Sequence, residues 1–600
     1  MAKRKGGGGE EPKEVPTEGQ SFGSFKDLLR AQGGGEAKPE EDEGPGWTLE
    51  TGDEQADAAA AQRLAERDPG PRSRIDARPA AFGAMDHGPP CYADTNSEEM
   101  ELLHSFRVRT IFPEDVLAET KALPEDPGPA DFEGRRDLRG ETIFTIDGED
   151  AKDYDDAIHI RELGGGEVEL GVHIADVSHY VRPGTALDEE ALARATSVYL
   201  PDQVVPMLPE ELSNQLCSLV ADRDRLAFSV LMRFDAQGER TGYELTKSVI
   251  RSVKRNTYKA VQELLDREES EGAREIEHLR GALELFAQWT RKQQERRDAK
   301  GSLRMQSRER KFVFDERHEV EAVVDAPRYF SQTLIEETAL AANQAVGDDF
   351  RARGLPTIYR VHPEKDPEEI AAVARQLEEH GLRVPDKDRL TGRDIARLIR
   401  AARKKPNADA LIQRIMGLIE RAVYEVHDHE DVATHFGLAR EAYLHFTSPI
   451  RRYPDLVVHR WLHIVSSGAE GAAAELSTEA FLEDLNEVAQ HASVRADVAE
   501  MAERAVGDLK TCQYMDPHRG ETLAARVLRV MPAGMEVLLT DFNVTAFLPT
   551  RAIGQRGQVK GPTLTIQVGR GHRSFSEGYP ISVVLEEVDF LRLQLFLKLA

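Results

Sequence analysis

Six hundred residues exceed what one hydrophobic core normally serves, so two or three folded units with tails are expected. The apolar content of 40% supports ordinary globular packing, and no apolar run reaches the roughly 18 residues that span a membrane. The net charge of −29 weighs against a nucleic-acid partner, which usually leaves a basic footprint, but basic clusters at 251–255, 291–311 and 403–405 leave the question open.

The amino end, MAKRKGGGGEEPKEV, has no apolar stretch behind its charges and does not read as a signal peptide. Residues 1–95 are dominated by Gly, Pro, Glu and Ala and predict a disordered acidic tail. Within it SFKDLLRAQ (24–32) is a candidate docking element for a protein partner. Cys91, Cys217 and Cys512 are far apart and form no CxxC, which predicts a reducing, cytoplasmic setting and no zinc site.

Residues 96–140 predict a helical lead-in, with EEMELLHSF and PEDVLAETKAL at helical spacing. From 141 to about 240 the runs ETIFTID, AIHI, EVELGVHIAD and RLAFSVLMRF predict strands, with LDEEALARATSVYL helical between them. From about 255 to 515 the pattern is mainly helical. After 519 five short strands, ETLAARVLRVM, GMEVLLT, VTAFLPT, YPISVVLEEVDF and RLQLFLKLA, predict a small closed barrel of the OB type, a fold that commonly holds single-stranded nucleic acid.

The stretch TIDGEDAKDYDDAIHI carries Asp147, Asp153, Asp155 and Asp156 between two apolar, strand-like runs. Carboxylates ~4 Å apart repel by about 4 kcal/mol at an effective dielectric of about 20, so such a group needs cations. Hard divalent ions with oxygen ligands, magnesium or manganese, suit it, and a metal-carboxylate site suits phosphodiester hydrolysis. The competing reading is a solvated acidic turn; the spacing does not match a calcium EF-hand loop. A second constellation, HFTSPIRRYPDLVVHR (445–460), predicts a helix capped by Ser448 with Pro449 in its first turn. Arg451 or Arg452 there could fork onto a phosphate, or pair with Asp455. Glu503 sits on a charged helix, and Tyr199 lies between a helix and a Pro-rich turn, a placement suited to stacking a base.

Together TIDGEDAKDYDDAIHI, HIADVSHYVRPGTALDEEALARATSVYLPDQVVPMLPEELSNQLCSL, LIEETALAANQAV, IYRVHP and HFGLAREAYLHFTSPIRRYPDLVVHR resemble the catalytic region of the RNase II / RNase R exoribonucleases, in order, from about residue 100 to 515. The resemblance implies an α+β (mixed α/β) RNB catalytic domain over 141–515, with a mixed sheet and a large helical half, followed by an OB-type RNA-binding barrel over 519–600. It implies a 3′→5′ exoribonuclease that releases nucleoside 5′-monophosphates from single-stranded RNA, with a monomer expected because a single threaded channel needs no second subunit. By motif position Asp147, Asp153, Asp155 and Asp156 would form the metal site for Mg2+ or Mn2+, with Asp155 the most critical for chemistry. Arg451 would grip the scissile phosphate with Arg452 beside it, Tyr199 would stack on the terminal nucleotide, and Glu503 would stand near the catalytic centre. The family usually carries two cold-shock barrels ahead of this region. LLHSFRVRTIFPEDVLAE resembles the junction that follows them, and a Gly/Glu-rich tail stands in their place, so they are expected to be absent. A non-catalytic RNA-binding homologue, and a hydrolase of DNA or short oligonucleotides, are the alternatives.

Overall fold

The computed structural model describes residues 97–600 apart from 301, 303–308, 386–389, 406–407, 428–433, 467–477, 532, 555–556 and 561–562. The predicted tail over 1–95, its segment 24–32 and Cys91 lie outside the described residues. Cys217 and Cys512 are buried free thiols.

Helix α1 (Ser97–Ser105) opens the described chain, as its spacing predicts. The strand-rich segment supplies β1 (Arg136–Asp137), β2 (Ile143–Asp147), β3 (Asp156–Gly164), β4 (Glu167–Ala175), β5 (Val198–Tyr199), β6 (Val204–Val205), β7 (Asp224–Phe234) and β8 (Arg240–Thr257). Six of them form one sheet in the order β1-β8-β2-β3-β4-β7, and β5 pairs with β6 separately. The turn from β3 to β4 runs through Gly164, Gly165 and Gly166, all at positive φ, which only glycine adopts without strain. β3, β4, β7 and β8 pair antiparallel in sequence, whereas β1 and β2 run parallel to β8, giving the predicted mixed sheet.

The 18-residue β8 does two jobs. Its first part pairs with β7, and its last residues, Ser252 to Thr257, pair with β2. The pairings therefore run in a closed circuit, β2-β3-β4-β7-β8 and back to β2. β2 is buried along Ile143–Ile146 and reaches partial exposure only at Asp147. This circuit carries the main core, which also takes in helices α2 (Ala186–Arg194), α3 (Phe330–Arg353) and α4 (Tyr453–Ser466) and the start of α5 (Glu479–Met515), 37 residues long.

The helical half holds more β-structure than its periodicity predicts. Arg310–Phe314 and Val320–Asp325 form a hairpin, and Thr357–Val361 pairs with Val423–His427. Helices Pro367–Glu379, Gly392–Ala402 and Ala408–Met416 share a small core of their own.

All five strands predicted after 519 form the closed barrel: Thr522–Met531, Gly534–Leu539, Val544–Pro549, Pro580–Asp589 and Gln594–Leu599. The third and fifth run parallel at Phe547 and Phe596, the other neighbours antiparallel. This strand order, 1-2-3-5-4, is that of an OB-type barrel. A further three-stranded sheet, Gly557–Lys560, Thr563–Val568 and Gly571–Ser576, is inserted between its third and fourth strands. Among the described residues no helix is long and apolar enough to cross a membrane.

Candidate active site

The four aspartates gather where β2 ends and β3 begins. β2 delivers Asp147 opposite Thr257 of β8, and Asp156 opens β3 opposite Ile174 of β4. Between them the chain loops out and back. Arg255 of β8 donates to the carbonyls of Gly148 and Glu149 at 2.8 and 2.5 Å and lies over the Tyr154 ring. Ser218 fixes the return: its Oγ donates to the Lys152 carbonyl and accepts from the Tyr154 N–H, at 2.8 and 2.9 Å. The Asp155 carbonyl then accepts from Ala175 N–H at 2.9 Å, locking the loop onto β4.

Asp155 is 4% exposed. Its Oδ1 accepts from the Ile450 N–H at 2.9 Å, and its Oδ2 stands 3.5 Å from Arg451 Nε. That joins the aspartates to the SPIRR segment, nearly 300 residues away. The helix there begins later than predicted. Ser448 to Arg451 form a turn in which the Ser448 carbonyl accepts from the Arg451 and Arg452 N–H groups, and α4 starts at Tyr453. The turn is held by Asp455, which accepts from the Ser448 N–H at 2.8 Å. Pro449 cannot donate, so the first free N–H of the turn, that of Ile450, points at Asp155.

The neighbouring arginines differ. Arg451 keeps a side chain 41% exposed, steadied by Ser448 Oγ at 3.0 Å, and its charge faces the aspartates. Arg452 is engaged bidentately by the fully buried Asp455 at 2.8 and 2.7 Å. The structure shows the Asp455 pairing, one of the two roles that the sequence leaves open to Arg452, with its side chain still 21% exposed.

Tyr199 joins the same group. Its hydroxyl donates to Asp153 Oδ2 at 3.2 Å, and its backbone N–H donates to Glu503 Oε1 at 2.7 Å. Burial raises the Glu503 carboxyl above its ordinary value, opposed by that N–H and reinforced by Glu500.

Electrostatics mark the site as strained in this form. Burial, then the charges of Asp156 and Asp153, push the Asp147 carboxyl up to about 8, against the pull of Thr145 and Arg255. Burial pushes Asp156 up to about 6 although Arg451 opposes it. Burial raises Asp155 well above the ordinary carboxylate range against Arg451 and the Ile450 N–H. Asp147 Oδ2 and Asp155 Oδ2 are buried without a hydrogen-bond donor. An all-oxygen donor set with two such orphaned oxygens fits a hard divalent cation. Among the described residues, however, no three His, Cys, Asp or Glu side chains converge closely enough to enclose an ion as they stand.

Two residues of this site are not evident from local sequence. Arg255 lies in RSVKR, which reads as a solvated basic cluster. Tyr258 sits where burial and the Asp156 and Asp147 charges raise its hydroxyl, opposed by Arg451. Only the β2–β8 register, Asp147 against Thr257, brings them to the aspartates.

Comparison with known proteins gives this geometry its context. The sequence model of the RNB domain matches residues 135–468. Ribonuclease R of Thermotoga maritima is 40% identical over 73% of the chain, and Ribonuclease R of Escherichia coli is 35% identical over 74%. The chain spans 61% and 54% of those relatives' own length. Among solved structures, Mycoplasma genitalium RNase R in complex with ribose methylated single-stranded RNA superposes with a TM-score of 0.72 at 24% identity, covering 84% of this chain and 77% of that one. Yeast Ssd1, a pseudonuclease, superposes at 0.59 with 18% identity, covering 80% and 59%. The sheet circuit, the aspartate loop and the SPIRR turn all fall inside the matched segment, and on that match the chain belongs to the RNB domain family.

Proposed function

We propose that the protein is a magnesium-dependent 3′→5′ exoribonuclease that hydrolyses single-stranded RNA to nucleoside 5′-monophosphates, with manganese able to replace magnesium. The observation that carries the reading is the placement of Asp155: buried, among carboxylates that raise one another's pKa, and tied across 295 residues to Ile450 and Arg451. A module that only binds RNA gains nothing from buried, mutually repelling carboxylates beside a half-exposed arginine. The names of the relatives support the choice of RNA and of catalysis; the fold alone does not carry catalysis, since Ssd1 shares it as a pseudonuclease.

Asp147, Asp153, Asp155 and Asp156 would hold the cation, which when bound polarises phosphate oxygens and lowers the pKa of water. The chain's own residues supply the rest. Arg451 offers its guanidinium to the phosphate, where charge builds up as the ester breaks. Asp155, held by the Ile450 N–H, sets the distance between that guanidinium and the aspartates. The Tyr199 ring provides the face on which the 3′-terminal base stacks, and Glu503 fixes the strand that carries it. Residues 141–515 form the catalytic unit and 519–600 the RNA-binding barrel, acting as a cytoplasmic monomer.

The test is digestion of a 5′-labelled oligoribonucleotide and its DNA counterpart, with and without chelator, by wild type and Asp155→Asn. Stepwise shortening of RNA alone, lost with chelator and in D155N, is expected. Turnover by D155N near the wild-type rate sinks the assignment. Binding without cleavage by wild type makes the chain a non-catalytic homologue, and shortening of DNA makes it a nuclease of broader range.

A further inference from the structure

The Tyr199 ring is carried by a hairpin too small to hold it alone. β5 and β6 share two residue pairs, Val198 with Val205 and Tyr199 with Val204, and an isolated two-stranded hairpin is marginal in water. Alternation along the strands sends Tyr199 and Val204 outward, where both are exposed, and Val198, Leu200 and Val205 inward, where all three are buried. The inward three pack in one apolar cluster with Met100 and Leu103 of α1 and with Ala499, Ala502 and Val506 of α5. The hairpin therefore takes its core from two helices, one of which, α1, lies ahead of the proposed catalytic unit.

The tip of the hairpin is fastened to the same two helices by charge. Lys510 of α5 sets its Nζ 2.8 Å from Glu99 Oε2 on α1 and 2.8 Å from Asp202 Oδ2 at the tip. The next tip residue, Gln203, donates through Nε2 to the other Glu99 oxygen at 2.8 Å. Glu99 and Lys510 are both buried. Burial disfavours the lysine charge, but Asp202 and Glu99 more than offset this and raise its pKa above the ordinary value.

Lys510 lies two turns beyond Glu503, about 10 Å along the same face of α5. Glu503 accepts the Tyr199 N–H at 2.7 Å. One helix thus grips the hairpin twice, at β5 through Glu503 and at the tip through Lys510, and Lys510 links that grip to α1. Such buried ion groups add little net stability, because desolvation offsets their attraction, yet removing one partner alone is costly. What the group supplies here is a fixed position for the hairpin against both helices.

We infer that Glu99, Lys510 and Asp202 are positioning residues for the base-stacking ring: through them α1 sets where Tyr199 stands, and so how short an RNA the site still holds. That role of α1 rests on the proposed stacking by Tyr199. A long strand is held by contacts along its length, whereas a remnant of a few nucleotides depends on the stack at its end. A loosened hairpin therefore releases short remnants first.

The test has two arms. In the first, hydrogen exchange of the full-length protein, without metal or RNA, compares wild type with the double variant Glu99→Gln/Lys510→Met. That variant takes the charge from both buried partners and so strands neither. Amides of 198–205, among them Tyr199 N–H on Glu503 and Leu200 N–H on the Gln203 carbonyl, exchange about tenfold faster or more, while those of β3 and β4 keep their protection. Equal protection at 198–205 overturns the hold. Glu99→Gln alone, similar in shape and still able to accept from Gln203, decides the same question should the double variant unfold.

In the second arm, a long 5′-labelled oligoribonucleotide is digested to its limit product with magnesium, and KM is compared between that strand and one only slightly longer than the limit product. In the double variant the limit product lengthens, and KM rises severalfold for the short strand alone. A general loss of stability would instead lower turnover of both strands alike, and that result overturns the positioning role. So does a loosened hairpin that leaves the limit product and the KM ratio as in wild type. Absence of turnover by wild type counts against the proposed function, and the first arm, which needs no catalysis, still decides whether α1 holds the hairpin.

Discussion

Tyr199 and Asp153, 46 residues apart, are joined by a 3.2 Å hydrogen bond from the phenol to the carboxylate. The ring proposed to receive a terminal base is therefore tied directly to one of the four aspartates. Tyr199→Phe keeps the ring and removes the tie. A hydrogen bond to a charged acceptor contributes about 1.5–3 kcal/mol, and the half-exposed setting reduces this to about 1 kcal/mol, or roughly fivefold in turnover. Tyr199→Ala removes the ring as well and lengthens the final product. Gel ladders of limit digests read both, and identical limit products from the two variants would remove stacking from the account.

Arg451 and Arg452 are adjacent, yet opposite phenotypes are expected. Asp455→Asn leaves Arg452, whose side chain is 21% exposed, beside a neutral amide and removes its fully buried carboxylate partner; breaking such a part-buried pair costs up to about 3 kcal/mol in a urea melt. Arg451→Lys changes stability little, because its side chain is 41% exposed. It should lower kcat by about 10²–10³-fold, the range for removing a donor from developing charge. Similar stability losses in both variants would contradict the division of roles.

Metal affinity should climb with pH. Asp147 is pushed up to about 8 by burial, Asp156 and Asp153, so at neutral pH it holds a proton that a cation must displace. Between pH 6 and 8 the Mn2+ affinity increases by up to about tenfold per unit for each proton released. The sign for the metal-free fold is opposite. A carboxyl whose folded pKa exceeds its unfolded value stabilises at low pH, and that contribution is lost as pH rises through about 8. Calorimetry in buffers of different ionisation enthalpy counts the protons. A pH-independent affinity with no proton release defeats the prediction.

Inside the sheet, His159 Nδ1 meets His173 Nε2 at 2.9 Å, and His173 Nδ1 meets Ser229 Oγ at 2.7 Å. Burial, then the His159 charge, holds His173 well below its ordinary value. The unfolded chain takes up a proton near pH 6.5 that the folded chain refuses, so stability falls as pH drops below 6.5, by up to about 1.4 kcal/mol per pH unit for one histidine. The carboxylates contribute the reverse slope, so the readout is wild type minus His173→Gln across pH 7 to 5. A difference that does not vary with pH counts against a neutral buried imidazole.

Gly347 packs α3 against the chain leading to the SPIRR turn. A Cβ built there lies 2.0 Å from the Ala442 carbonyl oxygen, a backbone atom that cannot swing away. Gly347→Ala should destabilise by about 1–3 kcal/mol or more, although alanine is the better helix former. A neutral or stabilising result in denaturant titration would mean that the contact is looser than drawn.

What the sequence disclosed follows from what is local. Alternating apolar residues gave all five barrel strands, and the run of like charges at 147–156 marked the cluster of aspartates without any contact being known. Partners set by register or by distant chain were hidden. Arg255 reads as one of several basic residues until β8 is laid beside β2. Arg452 reads like Arg451 until Asp455 folds back on it. The hairpin at 310–325 was masked by helical periodicity on either side, and the sheet at 557–576 by its short, half-polar strands.

One of the long-range ties described above bears on when the site is completed. Because Asp155 is seated by the amide of Ile450, three-quarters of the way along the chain, a polypeptide still leaving the ribosome has no finished centre until that turn emerges. The proposed hydrolysis of RNA would thus be withheld from any nascent chain that has not yet reached Ile450.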